Sequence, residues 1–137
     1  MSIRQSDVSA LLNGISKRAI GFNDVIRFID DFYYYTPVGF VNGLQHNLAG
    51  ENEGSAKIFG FAKLHGLNKL DTLTLFGEHF EAVKRNPAGT DHANIRNFLH
   101  WGWEGLLMQK NPLVDRADWD AADHSSYFRK ALKILAV

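Results

Sequence analysis

The chain has 137 residues, 45% of them hydrophobic and 22% charged. This is too apolar for a disordered protein and long enough for one domain to bury roughly two thirds of its unfolded surface. Fifteen basic residues balance fifteen acidic ones, so no mean field draws in nucleic acid or an anionic membrane, and neither is expected as a partner. The absence of Cys removes disulfides, thiolate nucleophiles and Cys-ligated metal centres, and no cofactor or metal site is expected. No apolar run reaches the roughly 20 residues of a membrane span, and the N-terminus lacks a Sec signal pattern. The cytoplasm is the expected compartment.

Segments of helical period follow one another without repeats or linkers. Ser6 is placed to cap a first helix whose apolar residues are Val8, Leu11, Leu12 and Ile15. Asn23 is placed to cap a second, with Ile26, Phe28, Ile29, Phe32 and Tyr33 on its apolar face and Pro37 ending it beyond Tyr35 and Thr36. Three consecutive tyrosines, Tyr33 to Tyr35, cannot all face one core, so at least one is partly exposed. In the irregular stretch that follows, Asn42-Gly43 between apolar residues signals a two-residue hairpin turn.

A third helix spans Ser55 to His65, with Gly66 at its left-handed C′ position. Asn68 is expected to cap a fourth, carried through Leu70, Leu73, Phe76, Phe80 and Val83 to a stop before Pro87. Asp91 is expected to cap a fifth, whose core face is Ile95, Phe98, Leu99, Gly102 and Leu106. Beyond Asn111-Pro112, acids preceding bases favour a last amphipathic helix over about 113–137, with Phe128, Ala131, Leu132 and Leu135 as its apolar stripe. The fold expected is mainly α, a single compact domain of five to six helices with a short β-hairpin near residues 38–47.

Two clusters have the residue types of a site. On the fifth helix His92, Arg96 and His100 form a stripe flanked by Asn94 and Asn97, able to grip an anion; an ordinary solvated face accounts for the same pattern. In Asn52-Glu53-Gly54-Ser55-x-Lys57 a loop leads into a helix, whose free amides suit a phosphate or carboxylate. A plain cap with a Glu53–Lys57 pair explains it equally. It lacks the glycines of a P-loop. His65 and His79 lie near apolar faces and read as boundary residues more readily than as ligands. Glu78-His79-Phe80-Glu81 has the wrong order for a zinc protease motif, and Asp118-Trp119-Asp120 lacks the Gly and closing Glu of a calcium loop. No Gly-x-Ser-x-Gly or Gly-x-Gly-x-x-Gly occurs.

Taken together, four strings resemble the HopJ-type proteins, described as type III effectors of plant-pathogenic bacteria and also found in many non-pathogens. They are Thr36-Pro37 with Phe40-x-Asn42-Gly43, then Asn52-Glu53-Gly54-Ser55-x-Lys57-Ile58-Phe59, Leu64-His65-Gly66-Leu67, and Gly89-x-Asp91-His92-x-Asn94-Ile95-Arg96-x-Phe98, within a core of about 10–110. The resemblance implies a small helical fold and supplies no established reaction. Its polar members are Asn42, Asn52, Glu53, Lys57, His65, Asp91, His92, Asn94 and Arg96. The expectation is a cluster that binds a small anionic ligand or a protein partner. One alternative is an enzyme with His92 or His65 as base, Glu53 as acid, and Arg96 or Lys57 holding an anionic or amide-bearing substrate. Another is a secreted effector acting on a host protein; a helical pattern beginning near Ser6 leaves little flexible N-terminus for export.

Overall fold

The computed structural model describes residues 2–121, and within them the chain is mainly α: seven helices with two small antiparallel sheets. Helix α1, Gln5–Ser16, buries Val8, Leu11 and Ile15. Its start is fixed by Asp7, whose carboxylate accepts from the Arg4 amide at 2.8 Å, and not by Ser6. Helix α2, Phe22–Phe32, starts at Gly21, whose amide donates to Asp24 at 2.9 Å, while the Phe22 amide donates to Glu78 at 2.7 Å. Carboxylates one turn into a helix, or brought from elsewhere, here replace the expected Ser6 and Asn23 caps.

The tyrosine run leaves α2 at Phe32 and becomes strand β1, Tyr33–Tyr35. Period-2 alternation buries Tyr33 and leaves Tyr34 39% exposed. Strand β1 pairs with β5, Leu113–Asp115, with Tyr34 opposite Val114. Strand β2, Phe40–Asn42, forms the expected hairpin with β3, Gln45–Asn47, but the turn residues are Gly43 and Leu44, one position later than Asn42-Gly43. Gly43 takes φ +59°, the positive first dihedral of a type II′ turn. The shift keeps Asn42 in the strand, where its side chain is fully buried. Strand β4, Leu106–Leu107, adds to the free side of β2.

Helix α3, Glu53–Leu64, is the central element and buries Ala56, Ile58, Phe59, Phe61 and Ala62. It closes as expected at Gly66: the Leu67 amide reaches back to the Ala62 carbonyl at 3.0 Å and the Gly66 amide to that of Lys63 at 3.3 Å. The single long helix expected after Asn68 is instead two, α4, Lys69–Thr74, and α5, Glu78–Arg85. The break is at Gly77, φ +55°, where an added Cβ would lie 3.0 Å from the Phe22 nitrogen. The chain turns there to bring Glu78 onto the start of α2. Helix α6, Ala93–Trp101, buries Asn94, Ile95 and Phe98, whereas Leu99, expected on the core face, is 40% exposed. A 3-10 turn, Gly102–Gly105, follows.

The core gathers around phenyl rings in tilted and edge-to-face contact with Phe59. Phe59 lies 4.9 Å from Phe98, 5.6 Å from Phe76 and 5.9 Å from Phe40, centroid to centroid. Of the expected last helix over 113–137, Leu113–Asp115 is strand, Arg116–Ala121 is helix α7, and residues 122–137, with Phe128, Ala131, Leu132 and Leu135, lie outside the described residues.

Candidate functional site

Helices α3 and α6 begin in the same unusual way. Their N-cap residues, Asn52 (φ 49°, ψ 48°) and His92 (φ 53°, ψ 48°), are both left-handed, and neither side chain caps its own helix. A left-handed residue followed by helical ones turns successive amides to one side, the geometry of backbone anion nests. The first amides of each helix have no intrahelical acceptor. The two helix starts line one cleft of about 410 Å³, shared by Asn52, Gly54 and Ser55 of α3 and His92, Asn94 and Ile95 of α6.

His79, from the first turn of α5, completes this cleft, its ring 5.0 Å from that of His92. Phe22 packs edge-on against His79 at 4.8 Å. His79 reaches the cleft because Gly77 breaks the chain into two helices. The sequence offered its residue type and not its direction.

Four asparagines, of which Asn52 and Asn94 line the cleft and Asn42 and Asn47 do not, join the starts of α3 and α6 to the hairpin. Asn94 donates to Asn47 Oδ1 at 2.9 Å and accepts from Asn47 Nδ2 at 3.2 Å. Asn52 donates to the same Asn47 Oδ1 at 2.7 Å. Asn42 donates to the Asn94 backbone and side-chain oxygens at 2.8 and 3.0 Å, and its own Oδ1 is buried with no partner. Buried amides are costly unless bonded, so this network fixes the distance between the two helix starts. Asn47 is its hub, and sequence reasoning missed it. Its only sequence signal is its place five residues before Asn52 in the hairpin.

The structure brings Asn52, His92 and Asn94 together in the cleft with Asn42 behind them, and sets the other expected residues elsewhere. Arg96 turns back to the loop before its helix, donating to the Asn86 carbonyl at 2.8 Å and pairing with Asp91 at 2.7 Å. That hydrogen bond holds the Asp91 carboxyl below its usual range. Lys57 pairs with Asp30 at 2.8 Å and lies 4.9 Å over the Tyr35 ring. Glu53 is exposed beside Tyr35, whose phenol is pushed up to about 12 by burial and then by that carboxylate.

His65 stands apart from the cleft, its Nε2 2.6 Å from the Tyr33 hydroxyl and its ring 4.5 Å from Phe61. Burial lowers its pKa against the opposing pull of Asp115. The Tyr33 phenol is raised to about 12, by burial and then by Asp115 and Asp118. Among the described residues no group of three or more His, Asp and Glu side chains is placed to hold a metal ion. No helix among them is long and apolar enough to cross a membrane.

A family model described as HopJ type III effector protein matches residues 8–113. A solved structure, the crystal structure of the unknown-function protein VPA0580, is 38% identical to the chain. It superposes with a TM-score of 0.75 over 85% of this chain and 97% of that one. Comparison with curated proteins finds no match.

Proposed function

The chain belongs to the HopJ family, and from that premise we propose that it is a binding protein whose ligand is a small molecule with an anionic or amide group, held in the cleft between α3 and α6. The observation that carries this reading is the pairing of two left-handed helix caps, Asn52 and His92, in one cleft with His79. Free amides at the first turns of α3 and α6 supply donors, two imidazoles supply a donor or acceptor each, and the asparagine network holds them in place. Glu53, Lys57 and Arg96 do not line the cleft and already have partners or solvent, so the binding reading stands ahead of an enzyme that relies on them.

Native mass spectrometry of freshly purified protein tests for a retained ligand. Titration with inorganic phosphate, acetate and acetamide, followed by amide chemical shifts, locates the site. The expected response centres on Gly54, Ser55 and Ala93 and is reduced about tenfold in affinity by His92→Ala, the loss of one charge-assisted contact. Shifts confined to other surfaces, or none with any of the three probes and no retained ligand, would overturn it.

A second reading is a protein partner, in keeping with a family described by type III effectors. Its support is the exposed end of the hairpin sheet, where Leu44 is 78%, Leu107 63% and Trp101 41% exposed. Leu44→Asp with Leu107→Asp would abolish partner capture and leave anion titrations unchanged.

A further inference from the structure

Among the described residues that line the cleft between α3 and α6 there is no Lys, Arg, Asp or Glu. Its polar side chains are the amides of Gln45, Asn52 and Asn94, the Ser55 hydroxyl, and the imidazoles of His79 and His92. Of these only the imidazoles change charge near neutral pH. They come from different elements, His79 from the first turn of α5 and His92 from the cap of α6, and their rings are 5.0 Å apart.

The charged groups around the two rings stand outside the cleft. Asp91 lies 3.8 Å from His92 Nε2 and is paired with Arg96 at 2.7 Å, which holds its carboxyl below the usual range. Glu78, next to His79, is also held low, first by the Phe22 amide, with Asp24 of α2 opposing. Both carboxylates therefore keep their charge while imidazoles titrate. On α3, Glu53 lies beside Tyr35 and does not line the cleft. In β3 the lining residue is Gln45, and the exposed His46 alternates to the other face of the strand.

We propose that the cleft takes up a monoanion together with one proton, drawn from solvent onto an imidazole nitrogen of the His79–His92 pair. This rests on the binding reading above and narrows its ligand from an anion or amide to a singly charged anion. An anion between the rings favours an imidazolium. The positive ends of α3 and α6, and the repulsion between two rings 5.0 Å apart, oppose a second one. With no Lys or Arg in the lining, the charge of a dianion would be met only in part.

Methanesulfonate, sulfate and methanesulfonamide carry one, two and no negative charges and keep them between about pH 8 and about pH 5.5, the range in which imidazoles titrate. Each is titrated into the full chain at both ends of that range. Calorimetry in buffers of different ionisation enthalpy counts the protons taken up, and amide chemical shifts place the ligand. Methanesulfonate is expected to bind about tenfold more tightly at the lower pH and to take up no more than one proton. Methanesulfonamide is expected to bind alike at both and to take up none, and sulfate to bind more weakly than methanesulfonate. His79→Gln combined with His92→Gln should abolish the pH dependence of whatever methanesulfonate affinity remains. His65→Gln, apart from the cleft, should preserve it. Should the double variant bind nothing, the proton count of the unaltered chain decides alone. Methanesulfonate shifts at Gly54 and Ala93 with equal affinity at both pH values and no proton uptake would overturn this proposal and leave the binding reading standing. Sulfate bound more tightly than methanesulfonate would overturn the monoanion, and no binding by any probe would overturn both readings.

Discussion

Asn47 and Asn94 form a reciprocal amide pair, each side chain donating to the other's oxygen at 3.2 and 2.9 Å, and both residues are buried. This ties the hairpin to the first turn of α6, and through Asn52 to the first turn of α3. The pair sets the spacing of the cleft without lining it on both sides.

Asn94→Leu is expected to lower the unfolding free energy by roughly 2–3 kcal/mol, because it leaves buried amide groups of Asn47 and Asn42 short of partners. Asn42 keeps its bond to the backbone oxygen of residue 94, which limits the loss. Urea unfolding measures it, and a change below about 0.5 kcal/mol would mean that water replaces the pair without penalty.

Phe98→Ala is expected to cost roughly 3–5 kcal/mol, as truncation of a buried phenyl does. Phe98 has no exposed surface and its ring lies 4.9 Å from Phe59 and 5.1 Å from Trp103. A loss under about 1 kcal/mol would place the ring outside the core.

Two left-handed glycines should respond differently to alanine. At Gly66, φ +62°, nothing lies within 4 Å of an added Cβ, so Gly66→Ala carries only the backbone strain, about 1 kcal/mol. At Gly77 the added carbon also meets the Phe22 nitrogen at 3.0 Å. Gly77→Ala should therefore be the more destabilising, and should weaken the Phe22–Glu78 bond at the start of α2 and move His79 in the cleft. Equal thermal midpoints for the two variants would refute this ordering.

His65 predicts a pH dependence. Its folded pKa is lowered from 6.5, first by burial, so the unfolded chain takes up the proton more readily. Stability from the neutral ring is present above the unfolded value and is lost as pH falls through about 6.5 towards the folded value. The thermal midpoint should fall between about pH 7.5 and pH 5.5. His65→Gln, which removes the titrating ring and keeps a polar side chain, should flatten that slope. A slope unchanged in the variant would assign the effect to other groups.

How far each feature was legible in the sequence depended on how local its cause was. The helical period of α1, α3 and α6, the Schellman end at Gly66 and the Asn68 cap follow from contacts within a few residues, and the sequence by itself determined them. The same is true of the presence of a hairpin near Asn42 and the partial exposure of at least one of the three tyrosines. The break at Gly77, the strand at Tyr33–Tyr35 and the one-residue shift of the hairpin turn were decided by partners distant in the chain: Phe22, Leu113–Asp115 and Asn94. The same holds for the site. Residue type and position marked Asn52, His92 and Asn94 as candidates, but Arg96, Lys57 and Glu53 were marked on the same grounds and point elsewhere. A side chain's direction is set by the buried hydrogen bonds and packing of elements that meet only in the folded chain, and those brought His79 and Asn47 into the cleft's structure while drawing Arg96 to Asp91 and Lys57 to Asp30.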